Sequence, residues 1–221
     1  MSATANLFVP EFFSPQPAVF WDEARQNHFS EPAQPDPNWE SIISLYEPKL
    51  NAANGIVFHF GAGSGEMMET LRQHGFAVAG CESSARRTEQ ARQAYSFEAH
   101  TLHCCSAESF LCWTHRIGQK AQAIFFRHDL EHCFELHALL RQMADVLCED
   151  GLLIALLPPP NSDHSREAHL SFLNELAVGC ASCNGNFEVA GVDCDYENRF
   201  MAFVLKKTST SSRVSTAITH E

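Results

Sequence analysis

The sequence predicts an α/β fold: a doubly wound, mostly parallel seven-stranded sheet that ends in an antiparallel hairpin. Three observations carry that expectation. Short apolar runs alternate with helical periods through the middle of the chain, the pattern of a parallel sheet covered on both faces. The first apolar run breaks into glycines spaced two apart, Gly61, Gly63 and Gly65, just before a helical stretch. The last two strand-like runs are separated only by Glu197 and Asn198, as in a hairpin.

Residues 1–38 hold six of the ten prolines, with Phe and Trp between them, and read as an irregular arm with a short helix near Trp21–Asn27. In "PNWESIISLYEPKL", Trp39, Ile42, Ile43, Tyr46 and Leu50 fall near one helical face. Residues 1–50 are therefore expected to form an N-terminal arm and cap helix, residues 51–207 the main domain, and residues 208–221 a disordered polar tail. Within the domain, strands are expected at 55–60, 76–81, 99–105, 121–126 and 152–157, then in "FEVAGVDCDY" and "RFMAFVLKK". Helices are expected at 66–74, 84–95 and 167–178. A further helix is expected at 135–150, where Leu136, Leu139, Leu140, Met143, Val146 and Leu147 follow helical spacing and Gly151 offers a stop.

The 221 residues are 45% hydrophobic and 19% charged, ordinary for a soluble globular protein. A net charge of −12 opposes binding to nucleic acid or anionic membrane. No apolar run approaches the roughly 20 residues of a membrane helix. The nine cysteines are odd in number, and several lie inside apolar runs. The N-terminus shows no basic segment followed by a long apolar stretch, so the expectation is a cytoplasmic protein with reduced, buried thiols.

Glycines between a strand and a helix let the backbone approach a ligand at a helix N-terminus. The dinucleotide fingerprint G-x-G-x-x-G would need glycine at position 66, which is Glu66. No phosphate-loop run exists, and an acidic residue in this turn disfavours a pyrophosphate. Glu82 follows Gly61 by 21 residues, at the end of the second strand, where a carboxylate can accept both hydroxyl hydrogens of a ribose. The ligand so described carries a ribose and no phosphate.

With these features the chain resembles the class I S-adenosylmethionine-dependent methyltransferases over residues 55–207. "VFHFGAGSG" is similar to the family's glycine motif, and "VAGCESS" to its second motif with Glu82 as the ribose acid. "CSAES" stands at the adenine-contacting stretch. "AIFFRHDLEHC" resembles the fourth strand and its continuation in small-molecule methyltransferases of the quinone-biosynthesis type, and "LCEDGLLIALLPPPN" the motif around strand five. The resemblance implies a Rossmann-like methyltransferase fold, S-adenosyl-L-methionine as cofactor, and a small-molecule substrate. It implies cofactor contacts from His59, Gly61, Ala62, Gly63, Gly65, Glu82, Ser83, Ser106, Ala107 and Arg127. Three residues depart from the family pattern: His59 and Ser106 each replace an Asp, and Gln122 stands where an Asp often begins strand four. The same fold without catalysis, serving as an interaction module, is the alternative.

Methyl transfer from a sulfonium needs an in-line nucleophile and, for an O–H or N–H acceptor, a general base. His128 and His132 are the catalytic candidates, with Asp129 and Glu131 between them. The same residues fit H-x-x-E-H, a zinc-peptidase motif, but they directly follow a strand where a turn is expected. Cys180 and Cys183 form a single C-x-x-C, which Cys194 or His169 could complete as a metal site; plain thiols are the expectation and no metal is assigned. A homodimer stays open.

Overall fold

The structure, a computed structural model, describes residues 39–50, 55–127, 136–157, 187–195 and 200–208. Helix α1 (Trp39–Tyr46) buries Trp39, Ile42, Ile43 and Tyr46, the stripe its spacing predicts, and Pro48 turns it into a short 3₁₀ segment at Glu47–Lys49. Strand β1 (Ile56–Phe60) leads through the glycines into α2 (Glu66–Gln73). There follow β2 (Ala77–Glu82), α3 (Ala85–Tyr95), β3 (Leu102–Cys104), α4 (Ala107–Arg116), β4 (Ala121–Arg127), α5 (Leu136–Val146), β5 (Leu147–Leu157), β6 (Phe187–Asp195) and β7 (Phe200–Lys207).

Among the described residues, seven strands form one sheet in the order β3-β2-β1-β4-β5-β7-β6. Strands β1 to β5 run parallel, and β7 lies antiparallel between β5 and β6. This is the expected fold class. The order reverses at β1, which lies between β2 and β4, so ligands are expected beyond the carboxyl ends of these strands.

Alternation along the strands splits the core into two layers. Phe58 and Phe60 of β1, Ile124 and Phe126 of β4, Leu153 of β5 and Phe203 of β7 pack with α4 and α5 on one face. Val57, Phe125, Ile154 and Val204 pack with α1 and α2 on the other. The first layer is organised by Phe110 of α4, whose ring meets Phe58 edge-on at 5.2 Å, while Phe60 meets Phe126 at 5.6 Å.

Three departures from the expected elements have local causes. Helix α4 had no expected counterpart. Its apolar residues do not keep to one face, but Phe110, Leu111 and Thr114 are buried, and Ser106 caps its start by accepting the Ser109 N–H at 3.3 Å. The expected helix 135–150 stops at Val146. Leu147 fits the helical period yet pairs with Ala121 of β4, and the register then slips so that Ala123 meets Leu152. The irregularity within β5 includes Asp150 at φ +61, and it is held to β7 by Lys206–Asp150 and Lys207–Glu149 ion pairs at 2.9 and 3.3 Å. The third strand is only three residues long. The expected helices near Trp21–Asn27 and at 167–178 lie outside the described residues, as does the tail beyond Thr208.

Helix α1 is tied to strand β6 by Tyr46 and to the end of α2 by His74. Tyr46 donates to Asp193 Oδ2 of β6 at 2.9 Å, and burial together with that carboxylate pushes the phenol well above its usual range. His74, at the end of α2, places Nε2 2.9 Å from Glu40 and Nδ1 3.1 Å from Glu47. Both ring nitrogens can donate to carboxylates only as the imidazolium. Burial opposes that charge, but the hydrogen bonds to Glu40 and Glu47 outweigh it, so the His74 pKa lies above its ordinary value. The stabilisation is therefore complete below the unfolded pKa and lost as pH rises through the folded one. Because both carboxylates are well exposed, the effect should be at most about 1 kcal/mol. Thermal melts should show the parent losing stability as pH rises through and just above the ordinary histidine range, while His74→Gln changes less. Parallel curves for the two proteins would refute the bridge.

Candidate active site

The turn after β1 uses each glycine for a backbone reason. Gly61, Gly63 and Gly65 have φ of +69°, +56° and +84°, the left-handed region that favours glycine. At Gly65, the entry to α2, a Cβ would also press on Phe97 Cε2 at 2.9 Å and on the Ala91 Cβ of α3 at 3.0 Å. At Gly63 a Cβ would meet nothing nearer than the Gly61 carbonyl oxygen at 3.9 Å. Gly65 is thus required by packing, whereas Gly63 presents bare backbone with space beside it.

The turn is held by the end of β2. Ala62 N–H donates to the Cys81 carbonyl at 3.1 Å. Gly63 N–H donates to Glu82 Oε2 at 2.8 Å, and Ser84 N–H to Glu82 Oε1 at 2.9 Å. The Glu82 side chain, only 2% exposed, therefore joins the turn after β1 to the turn after β2. Each of its oxygens has one backbone donor and keeps lone-pair capacity for another. A third segment reaches the same place: Cys105 N–H donates to the Glu82 carbonyl at 3.2 Å, which sets Ser106 and Ala107, at the start of α4, beside the end of β2.

Of the residues expected to contact a cofactor, the structure brings together Gly61, Ala62, Gly63, Gly65, Glu82, Ser83, Ser106 and Ala107 at the carboxyl edge of β1, β2 and β3. The Ser106 hydroxyl is engaged as a helix cap, accepting from Ser109 N and lying 3.3 Å from Ser109 Oγ. His59 is 1% exposed, on the α1 side of β1, with its ring edge-on to Trp39 at a centroid distance of 6.5 Å. Arg127 closes β4 opposite Leu156. Gln122 sits at the other edge of the sheet, where its Nε2 donates to the Gly55 carbonyl at 2.8 Å; it shapes the amino ends of β1 and β4, not the glycine turn. His128, His132, Cys180 and Cys183 lie outside the described residues.

Two residues that sequence reasoning did not single out support Glu82. Ser84 caps α3 by accepting Arg87 N–H at 3.3 Å, and Thr88 Oγ1 lies 3.2 Å from the Glu82 carbonyl and 2.9 Å from that of Ser84. A serine just before a helical period was the available signal for the first; nothing local marks the second.

The profile of a methyltransferase-domain family matches residues 33–204, more than three-quarters of the chain. The chain belongs to this methyltransferase family. The match begins upstream of α1 and ends within β7, so it spans the whole described sheet but for its last residues. Solved methyltransferases share the fold at low identity. A magnesium protoporphyrin IX methyltransferase from Synechocystis PCC 6803, with bound SAH (S-adenosylhomocysteine), aligns at 14% identity and a TM-score of 0.59, over 87% of this chain and 96% of that one. An S-adenosylmethionine-dependent methyltransferase from Clostridium acetobutylicum ATCC 824 aligns at 14% identity and 0.61, over 87% and 98%. A glycopeptide N-methyltransferase complexed with S-adenosylmethionine aligns at 13% and 0.60, over 80% and 98%. A search of curated protein sequences returns no match. No described helix of this methyltransferase is long and apolar enough to cross a membrane.

Proposed function

We propose that this methyltransferase transfers a methyl group from S-adenosyl-L-methionine to a small molecule. The observation that carries the reading is the buried Glu82 carboxylate, held by two backbone N–H groups beside a glycine turn whose middle residue has open space at its missing Cβ. These residues fit an adenosyl group with no phosphate. The remaining lone pairs of Glu82 would accept the two ribose hydroxyls, and the bare backbone around Gly63 would lie against the ligand. Ser83, Ser106 and Ala107 would line the adenine side, with the terminal amino acid part near His59 and Arg127. Acidic Glu66 and Glu69 in the first turn of α2 suit a ligand whose charge is positive rather than a phosphate.

The cofactor brings an already activated methyl group on a sulfonium, so the protein's work is orientation, exclusion of water and, for an O–H or N–H acceptor, removal of one proton. His128, next in the chain after β4, is assigned as that base, with His132 as its neighbour four residues on. The net charge of −12 supports a small acceptor over nucleic acid.

Calorimetric titration with S-adenosylmethionine and S-adenosylhomocysteine tests the cofactor. Affinity in the micromolar range is expected; no binding at millimolar ligand would leave the fold as an interaction module. With an acceptor in hand, His128→Ala should lower kcat by about 100-fold or more while leaving cofactor affinity within about twofold. Equal turnover in the two proteins would remove His128 from the mechanism.

A further inference from the structure

Cys81 and Cys105 meet where the glycine turn is anchored. Cys81 is the penultimate residue of β2 and 1% exposed; Cys105 follows β3 directly and is half-buried. The strands pair Cys81 with His103 and Glu82 with Cys104, and Cys105 N–H extends the ladder to the Glu82 carbonyl. Both cysteine side chains pack on the same core layer, and the Cys81 thiol hydrogen-bonds the Cys105 sulfur. That hydrogen bond holds the Cys105 thiol below its ordinary pKa, against burial and the charge of Glu108. A half-accessible thiol next to a second thiol already in contact is an arrangement that peroxides oxidise. Cys104 and Cys112 are more exposed and take no part in this contact.

We propose that Cys81 and Cys105 form a peroxide-oxidisable dithiol whose disulfide weakens cofactor binding. The Cys105 thiolate attacks hydrogen peroxide: an S–O bond forms, the O–O bond breaks, and hydroxide leaves and is protonated to water. The Cys81 sulfur then attacks the sulfenic sulfur: the S–S bond forms, the S–O bond breaks, and a second water leaves with the Cys81 proton. Two thiols and one peroxide become one disulfide and two waters, the two electrons passing from sulfur to oxygen. Closing a hydrogen-bonded pair to about 2.0 Å between sulfurs must draw the ends of β2 and β3 together. Those ends carry the ligand contacts: the Cys81 carbonyl holds Ala62, the Glu82 carboxylate holds Gly63, and Cys105 adjoins Ser106. The effect on affinity rests on the cofactor reading above; the disulfide itself does not.

The test treats the reduced full-length protein with hydrogen peroxide, maps linkages by peptide mass spectrometry, and titrates S-adenosylhomocysteine before and after. A Cys81–Cys105 linkage is expected, with affinity about tenfold lower and restored by dithiothreitol. Cys105→Ser should keep its affinity through peroxide, and Cys104→Ser should respond as the parent does. Linkages that bypass this pair, or none, would overturn the dithiol; a linked pair with unchanged affinity would overturn the regulation. If the reduced protein binds no S-adenosylhomocysteine, the cofactor reading and the regulatory half fail together, while the linkage result decides the dithiol alone.

Discussion

Gly80→Ala is expected to destabilise the protein by at least about 3 kcal/mol, the upper range for overpacking, because the new methyl has nowhere to go. Gly80 pairs with His59 across β1 and β2, and a Cβ there would lie 2.3 Å from the His59 backbone oxygen and 3.0 Å from Met68 Sδ. The Met68 side chain can swing away; the backbone oxygen can move only if β1 and β2 separate. For a chain of this size the loss corresponds to a fall in Tm of roughly 6–12 °C. Gly75→Ala is the matched control. Gly75 has φ +84 but nothing within 4 Å of its Cβ position, so only the left-handed strain of about 1–2 kcal/mol applies. Equal melting temperatures for the two variants would show that β1 and β2 tolerate the spacing and that the close approach is not constraining.

The second large effect falls on the site itself. Glu82→Ala should abolish measurable binding of S-adenosylhomocysteine and also lower stability by about 2–4 kcal/mol, since it strips partners from two N–H groups bound to a buried charge. Glu82→Gln should be intermediate in stability. Its amide oxygen can accept from Gly63 or Ser84, but its NH₂ group must then face the other N–H donor. Denaturant melts and titrations on the same samples separate the two roles. Lost binding with unchanged stability would mean that the carboxylate serves the ligand alone. Lost stability with retained binding would remove Glu82 as the ribose acceptor.

The fold was legible because parallel strands buried on both faces need continuous apolar runs, and "GIVFHF", "AIFF" and "LLIALL" have them. The glycine turn was legible for a local reason as well: only backbone chemistry explains three glycines between a strand and a helix. Helix α4 was missed because its inward face is Phe110, Leu111 and the hydroxyl-bearing Thr114, while the large Trp113 is 39% exposed, which blurs the periodicity. The end of α5 was misplaced because Leu147 satisfies a helical period and a strand partner equally well. Only the pairing with Ala121 decides between them.

By itself the sequence determined the order of the seven strands, the position of the glycine turn and the presence of an acid at the end of β2. All are local patterns readable over a few turns or one strand. The tertiary structure alone decided what those residues touch. It put the Glu82 carboxylate on the Gly63 backbone 19 residues away, Gln122 on Gly55 at a separation of 67, and Tyr46 on Asp193 at 147. It made Gly80 indispensable by setting its neighbour across the sheet, and it brought Cys81 against Cys105. Periodicity reports which face a residue takes on its own element. The partner it meets there follows from strand order and register, which chain closure and packing of the whole sheet determine together.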